Sequence, residues 1–224
     1  METPVHSAEA NKISSISEFS IQGDGAIVGW EKTIANGQAD MYLKMLYRLI
    51  SADQRKKSTE SSLNQRYPGV IVNEISVSDL YDLDKPVEIK VDFSCPDYAQ
   101  KLGNLLVFPV PSEDFSSYAT LVSDHGTRDY DFQIDYNMVV ERELRLLIPD
   151  GYEAITLPES VSIKHDFGTF SRDYKVADGK TIEYSAMMSI NSRNISKSEY
   201  PNVKKLIETA SREDRGQIIL KRAE

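Results

Sequence analysis

The amino-acid sequence predicts a mainly β protein of the α+β class, built from antiparallel β-sandwich domains. The first observation is a strict alternation of apolar and polar residues, as in residues 87–93. The second is a series of turn signals about every ten residues in the last third of the chain. The third is a helical period after Asn36, which predicts a helical insertion near residues 38–66. A short helix is predicted near residues 201–212.

We expect three parts: an extended lead-in over residues 1–12, a β-rich domain over 13–126 that carries the insertion, and a C-terminal sandwich domain over 127–224. The first domain opens with two strand-like runs around Gly23-Asp24-Gly25, whose glycines tolerate the positive φ of a hairpin. In the second run Ala26, Val28 and Trp30 share one face, so Trp30 is predicted to pack in the core or against the sheet.

The first helix of the insertion has an apolar stripe at helical spacing, which predicts that this stripe is buried. Its members are Ala39, Tyr42, Leu43, Leu46, Tyr47 and Ile50. Lys44 is predicted to be exposed, and Leu46→Ala is expected to destabilise the fold by about 2–5 kcal/mol if the stripe packs on the neighbouring strands. The alternative is that the stripe docks on a separate domain and is partly exposed in this chain. Ser51 with Gln54 forms a capping-box pattern for a second helix that ends before Pro68-Gly69.

The C-terminal domain shows the same β patterning, after a polar stretch over residues 111–127 that marks the boundary. One predicted strand face comprises Val140, Leu144, Leu146 and Ile148, with Arg142 as an edge or bulge position, and a long strand face comprises Ile182, Tyr184, Ala186, Met188 and Ile190. The helix that follows begins at Pro201 and has Val203, Leu206, Ile207 and Ala210 on one side.

The chain is acidic, with a net charge of −9 that comes from the middle segment 74–135, where thirteen acidic residues face four basic ones. This balance argues against nucleic acid as a partner, since no basic cluster is available to neutralise phosphates. The segment is interpreted as a solvated acidic face. Asp79, Asp82 and Asp84 suggest calcium as a second hypothesis, but their spacing is not that of an EF-hand loop. No apolar run is long enough to span a bilayer, and Met1 to Lys12 lack the apolar core of a signal peptide.

The sequence indicates no catalytic centre, and we assign no catalytic, cofactor-binding or metal-binding residues. The single cysteine, Cys95, cannot form an internal disulfide, and with three histidines it cannot build a zinc cluster. A nucleophilic arrangement of Cys95 with His125 and Asp124 is conceivable, but Cys95 follows an alternating strand, which favours a packing role. His6 lies in the lead-in, and His165 lies on a presumed inward face, where a structural role is the more common one.

Short motifs along nearly the whole chain carry a family resemblance. They are Thr3-Pro4, Asn11, Asp24-Gly25, Gly37-Gln38-Ala39, Arg48, Arg128, Ile148-Pro149-Asp150-Gly151-Tyr152, Leu157-Pro158-Glu159, Tyr200 and Ile218-Ile219-Leu220-Lys221. In their order they resemble the region that follows the catalytic core in bacterial transglutaminase-like proteins, which carry β-rich domains of unknown function around a papain-like core.

The resemblance implies a non-catalytic accessory region, used for packing, substrate presentation or partner contact. The family's Cys-His-Asp triad lies in the core, and Cys95, His125 and Asp124 do not match its positions. The resemblance implies that the partner is the core domain of the same polypeptide, and that the protein is exported from the cytoplasm. The alternative is a β-sandwich module that binds a peptide or a glycan, for which Tyr118, Tyr130 and Tyr136 are the candidate contacts.

Overall fold

The computed structural model describes residues 6–111, 115–122, 126–211 and 216–223. Its strands are β1 Lys12–Ile21, β2 Ile27–Ala35, β3 Ile71–Val77, β4 Val87–Cys95, β5 Gln100–Leu102, β6 Leu105–Pro109, β7 Phe132–Gln133, β8 Met138–Leu147, β9 Tyr152–Thr156, β10 Val161–His165, β11 Gly168–Ala177, β12 Thr181–Ile190, β13 Asn194–Ile195 and β14 Gln217–Arg222. Its α-helices are α1 Gly37–Arg48, α2 Ala52–Asn64 and α3 Tyr200–Ser211, with 3-10 segments at Ala8–Asn11, Ser116–Leu121 and Lys197–Glu199. With 45% strand and 24% helix the fold is mainly β, as predicted, and both predicted helical regions are confirmed.

An eight-stranded sheet in the order β10-β11-β12-β8-β1-β2-β4-β3 dominates the fold. It is mixed and not purely antiparallel as predicted, because β1 and β8 pair in parallel. A short hairpin loop can join two neighbouring strands only in the antiparallel direction. More than one hundred residues separate β1 from β8, and a connection of this length also permits parallel pairing. A four-stranded antiparallel sheet has the order β5-β6-β14-β9, and β7 pairs with β13.

The two larger sheets each combine strands from both of the predicted domains. In the eight-stranded sheet, β1 to β4 come from residues before 126 and β8, β10, β11 and β12 from residues after it. In the four-stranded sheet, β5 and β6 pair through β14 with β9. The division at residue 126 into separate domains stays a prediction, while the strand pairing joins the two stretches in the same sheets.

The core confirms most of the predicted apolar faces. The predicted faces of β12 and α3 are buried. On β8 the four predicted apolar residues are buried too, but Arg142 is buried among them and is not an edge or bulge residue, because β8 lies between β12 and β1. Val28 and Trp30 share one face of β2 as predicted, but the buried face is the other one, with Ile27 and Glu31. Trp30 is half-buried, and its ring centre lies 5.3 Å from Lys90 Nζ.

Candidate functional site

Helix α1 is clamped to the loop 78–86 by a buried lysine. Lys44 Nζ donates hydrogen bonds to the carbonyl oxygens of Asp82 (2.7 Å) and Lys85 (2.6 Å), and it lies 2.9 Å from the Asp40 carboxylate. Only 3% of Lys44 is exposed, so the prediction of an exposed lysine is wrong. Burial of an ammonium is tolerated here because three oxygens surround it. One turn further along the helix, Arg48 donates to the carbonyl of Leu80.

The aspartates considered for calcium instead build the loop that Lys44 holds. Asp79 Oδ1 accepts a hydrogen bond from the Tyr81 amide, and Asp82 Oδ1 accepts one from the Asp84 amide. The hydrogen bond from Asp84 holds the pKa of the Asp82 carboxyl below its ordinary value, since it favours the charged form. Over the described part of the chain, no three His, Cys, Asp or Glu side chains are grouped to hold a metal ion.

The clamp leaves the outward side of α1 apolar and exposed, and we call this surface the α1 patch. It comprises Met41, Tyr42, Met45, Leu46 and Leu49 on the helix with Tyr81 and Leu83 on the clamped loop, and each is between 37% and 79% exposed. The predicted buried stripe is therefore wrong for Tyr42 and Leu46. The helix is oriented so that Asp40 and Lys44 point inward beside Leu43 and Tyr47. In this orientation the Lys44 ammonium reaches the carbonyl oxygens of the loop.

A groove of about 630 Å³ runs beneath α1 and α2, over the inner face of the large sheet. Its aliphatic wall is formed by Ile13, Leu43, Leu63, Ile89 and Val91. Nine of the twenty described residues that line it carry a hydroxyl group, and four of these are tyrosines. A pocket of this size with an apolar wall and a few placed polar groups is typical of ligand sites.

The sheet surface at the centre of this groove is polar, where a helix-covered sheet is normally apolar. Strand register places Ser15 opposite Thr33, Ser17 opposite Glu31, and Ser15 beside Arg142 on β8. The Ser15 and Thr33 hydroxyls are 3.1 Å apart, and Ser17 Oγ donates to the Glu143 carbonyl. All of these side chains are buried except Thr33, which is half-buried. Glu31, Thr33 and Arg142 face the groove.

Two buried charged groups, Glu31 and Arg142, lie at the groove with identified partners. Arg66, just beyond the end of α2, donates from its two terminal nitrogens to the two oxygens of Glu31, at 3.2 and 3.4 Å. Arg142 donates to the Glu141 carbonyl at 2.9 Å, and its guanidinium lies 5.6 Å from the centre of the Phe115 ring. The groove therefore offers donors and acceptors side by side.

The tyrosines predicted as ligand contacts divide between the groove and the surface. Tyr118, in the 3-10 segment, and Tyr136, before β8, are both half-buried and line the groove. Tyr130 is 84% exposed and does not line it. Sequence reasoning did not identify Glu31, Thr33, Arg66 or the helix residues of the groove as candidates. The sequence gives one indication of this polar surface. Ser15 and Ser17 lie on the same face of β1 as its buried residues Phe19 and Ile21.

Cys95 is fully buried at the end of β4, where its thiol donates to the Pro68 carbonyl at 3.1 Å. Burial raises the pKa of the Cys95 thiol, which opposes formation of the nucleophilic thiolate. His125 and Asp124, its conceivable partners, lie outside the described residues. His165 is half-buried on β10 and stacks on Phe167, with ring centres 4.9 Å apart. His6 accepts a hydrogen bond from the Asn137 side chain through its carbonyl oxygen.

No described helix is long and apolar enough to cross a membrane.

Comparison with known proteins gives a family but no activity. No curated protein matches this chain. A crystal structure of a candidate protease from Parabacteroides distasonis is similar over 56% of this chain and 24% of that one, with 19% identity and a TM-score of 0.44. The chain thus spans about a quarter of the length of that protein. The model of a family described as a domain of unknown function with a solved structure, DUF3858, matches residues 104–220, just over half of the chain, and the chain therefore belongs to the DUF3858 family.

Proposed function

We propose that this chain is a non-catalytic accessory region of a bacterial, exported transglutaminase-like protein, and that the α1 patch contacts the transglutaminase-like core of the same polypeptide. The observation that carries the proposal is the patch itself. Seven large apolar side chains stand exposed along one helix and its clamped loop. A helix that is apolar on its outward side as well as its inward side is normally covered by another element.

The composition of the α1 patch is that of a contact surface between proteins. Tyrosine, methionine and arginine are enriched in such interfaces. The patch has two methionines and two tyrosines, and Arg48 at its margin places its guanidinium 4.6 Å from the centre of the Tyr81 ring. The exposed side chains together offer on the order of 800 Å², which is one partner's share of a standard interface.

The absence of a catalytic role is supported by the position of Cys95. A nucleophilic cysteine needs exposure and a neighbouring cation that lowers its pKa. Cys95 is buried, and its surroundings raise its pKa instead.

The test begins with the open reading frame that contains this coding sequence, which is expected to encode a transglutaminase-like core before residue 1. That core and this chain are then produced as separate polypeptides, and their association is measured by calorimetry. We expect Leu49→Glu to weaken binding at least tenfold, because it places a charge at an apolar residue of the patch that is 75% exposed. Leu102→Glu is the matched control: Leu102 is exposed on β5, outside the patch, and its substitution is expected to change binding less than twofold.

The proposal fails if the reading frame encodes no such core. It also fails if the two polypeptides do not associate, or if Leu49→Glu and Leu102→Glu weaken binding equally.

A second candidate function is a peptide- or glycan-binding module, and the groove beneath α1 and α2 favours it. Two of the three tyrosines predicted as ligand contacts line this groove.

A further inference from the structure

The groove is a different surface from the α1 patch, although the two meet at Met41 and Tyr42. Its polar floor has no evident role in packing. Glu31 and Arg142, which line the groove, occupy inward positions of strands whose other inward residues are mostly apolar, among them Ile27 and Leu144. A buried polar group costs stability unless it is hydrogen-bonded, and polar side chains in place of apolar ones are one mark of a functional site.

We infer that the groove binds a short extended peptide segment, through its uncharged main chain and one apolar side chain. A peptide main chain presents alternating N–H donors and C=O acceptors. The groove presents the complementary groups: the Glu31 carboxylate accepts, the Arg66 guanidinium donates, and hydroxyls such as that of Thr33 can do either. Arg66 already bridges Glu31, and Arg142 already donates to the Glu141 carbonyl beside the Phe115 ring. Because these charged groups have partners within the protein, the groove favours an uncharged ligand over an anion or a cation.

The aliphatic wall distinguishes a peptide from a glycan. Ile13, Ala39 and Leu43 line the groove and are only half-buried, so they gain from contact with an apolar side chain. A sugar carries hydroxyls around its ring, and its apolar C–H faces stack on aromatic rings more readily than they fill an aliphatic pocket. Tyrosine and serine around such a pocket are the residues with which antibody loops contact polypeptides, since they combine apolar area with hydrogen bonding. A volume of about 630 Å³ suits a segment of a few residues.

This inference rests on the second candidate function and narrows its ligand to a peptide, and it is independent of the α1 patch, because the groove and the patch can each act without the other. The variants that test the two surfaces are accordingly different.

The probes are three pools of fluorescein-labelled pentapeptides with blocked ends and randomised flanks. The central residue is leucine or phenylalanine in the first pool, aspartate in the second and lysine in the third. Chitotetraose is the glycan probe. Binding of the pools to the 224-residue chain is measured by fluorescence polarisation, and that of chitotetraose by NMR titration. We expect saturable binding of the apolar-centred pool, at least tenfold tighter than that of the two charged pools, and no binding of chitotetraose.

Two serines of α2 supply a matched pair of variants. Ser62 is exposed and lines the groove, so Ser62→Trp places an indole in its mouth without disturbing the core. Ser61 is also exposed but does not line the groove. We expect Ser62→Trp to weaken peptide binding at least tenfold, and Ser61→Trp to change it less than twofold. Leu49→Glu, which tests the patch, is expected to leave peptide binding unchanged.

The inference is overturned if no pool binds at concentrations up to about 1 mM. Equal effects of Ser61→Trp and Ser62→Trp also overturn it, as does preferential binding of a charged pool or of chitotetraose. The free energies of unfolding of the two serine variants are measured in urea. Values within about 0.5 kcal/mol of that of the unaltered chain establish that a lost affinity reflects the groove and not the fold.

Discussion

Lys44→Met removes the ammonium of the clamp while keeping most of the buried stem. The ammonium satisfies two backbone carbonyls and the Asp40 carboxylate, and 3% of the residue is exposed. Removing one member of a buried ion pair destabilises a protein by about 3–5 kcal/mol, because the other charge is left without its partner. Here Asp40 is partly exposed and still accepts a hydrogen bond from the Val87 amide at 2.7 Å. The loss is therefore expected at the lower end, about 3 kcal/mol.

Leu46→Ala is the comparison on the same helix. The change removes three carbon atoms, and each would stabilise the fold by about 0.8 kcal/mol if it were fully buried. Because 37% of Leu46 is exposed, the loss is at most about 1.5 kcal/mol. The order of the two effects is therefore the reverse of the order predicted from the apolar stripe, in which Leu46 was buried and Lys44 exposed.

Urea denaturation measures both variants, with circular dichroism and Trp30 fluorescence as separate probes of the transition. Coincident curves and an unchanged slope with denaturant are required for the free energies to be compared. A double-mutant cycle with Asp40→Asn isolates the ion pair from the two carbonyl hydrogen bonds. A loss below about 0.5 kcal/mol for Lys44→Met, or a larger loss for Leu46→Ala, would refute the clamp as the element that orients α1.

Three further predictions concern other parts of the molecule. Cys95→Ser is expected to leave any measured activity unchanged. Cys95 of the native protein should react with Ellman's reagent at least a hundredfold more slowly than Cys95 of the protein unfolded in urea. Rapid labelling of the native protein would contradict the burial of Cys95. Lys175 Nζ lies 2.8 Å from Glu183 and lowers the pKa of that carboxyl, so the stabilisation by the pair is complete above the ordinary pKa and is lost as the pH falls through the lowered one. Lys175→Met should therefore raise the Glu183 pKa in a carboxyl-detected NMR titration, and an unmoved pKa would exclude the pair as its cause. Gly37→Ala should lower the free energy of unfolding, measured in urea, more than Gly179→Ala does. Both glycines have a positive φ, but of the two only Gly37 would place a new Cβ 2.3 Å from a backbone oxygen. Equal losses of stability in the two variants would contradict the steric part of this reasoning.

The elements that sequence predicted well are those in which periodicity and burial coincide. On α3 and β12 every inward residue is apolar, so a single pattern determines which side is buried. The outcome differs on α1, where apolar residues cover both sides and periodicity cannot choose between them. There the choice depends on Asp40 and Lys44, whose i,i+4 spacing is visible in the sequence but whose burial depends on carbonyls nearly forty residues away.

The groove could not be predicted because its parts come together only through long-range pairing. Ser15 meets Thr33 through a local hairpin, but it meets Arg142 only because β1 and β8 are neighbours. Nothing near Arg142 in sequence indicates a central strand, so a charged residue there was interpreted as an edge position. Tyr118 and Tyr136 were identified as candidates from residue type alone, and that interpretation could not separate them from Tyr130.

The parallel pairing of β1 with β8 has a consequence for the order in which the chain is made. β1 and β2 form a hairpin as soon as both have left the ribosome, and β4 and β3 can then add to β2. The other edge of β1 stays open until β8 emerges, and at 5–20 residues per second the intervening 116 residues take about 6–25 s to synthesise. An open edge of ten residues is a template for pairing with other chains. During synthesis, protection of that edge rests on its own polar side chains, Ser14, Ser15 and Ser17 among them, or on a chaperone.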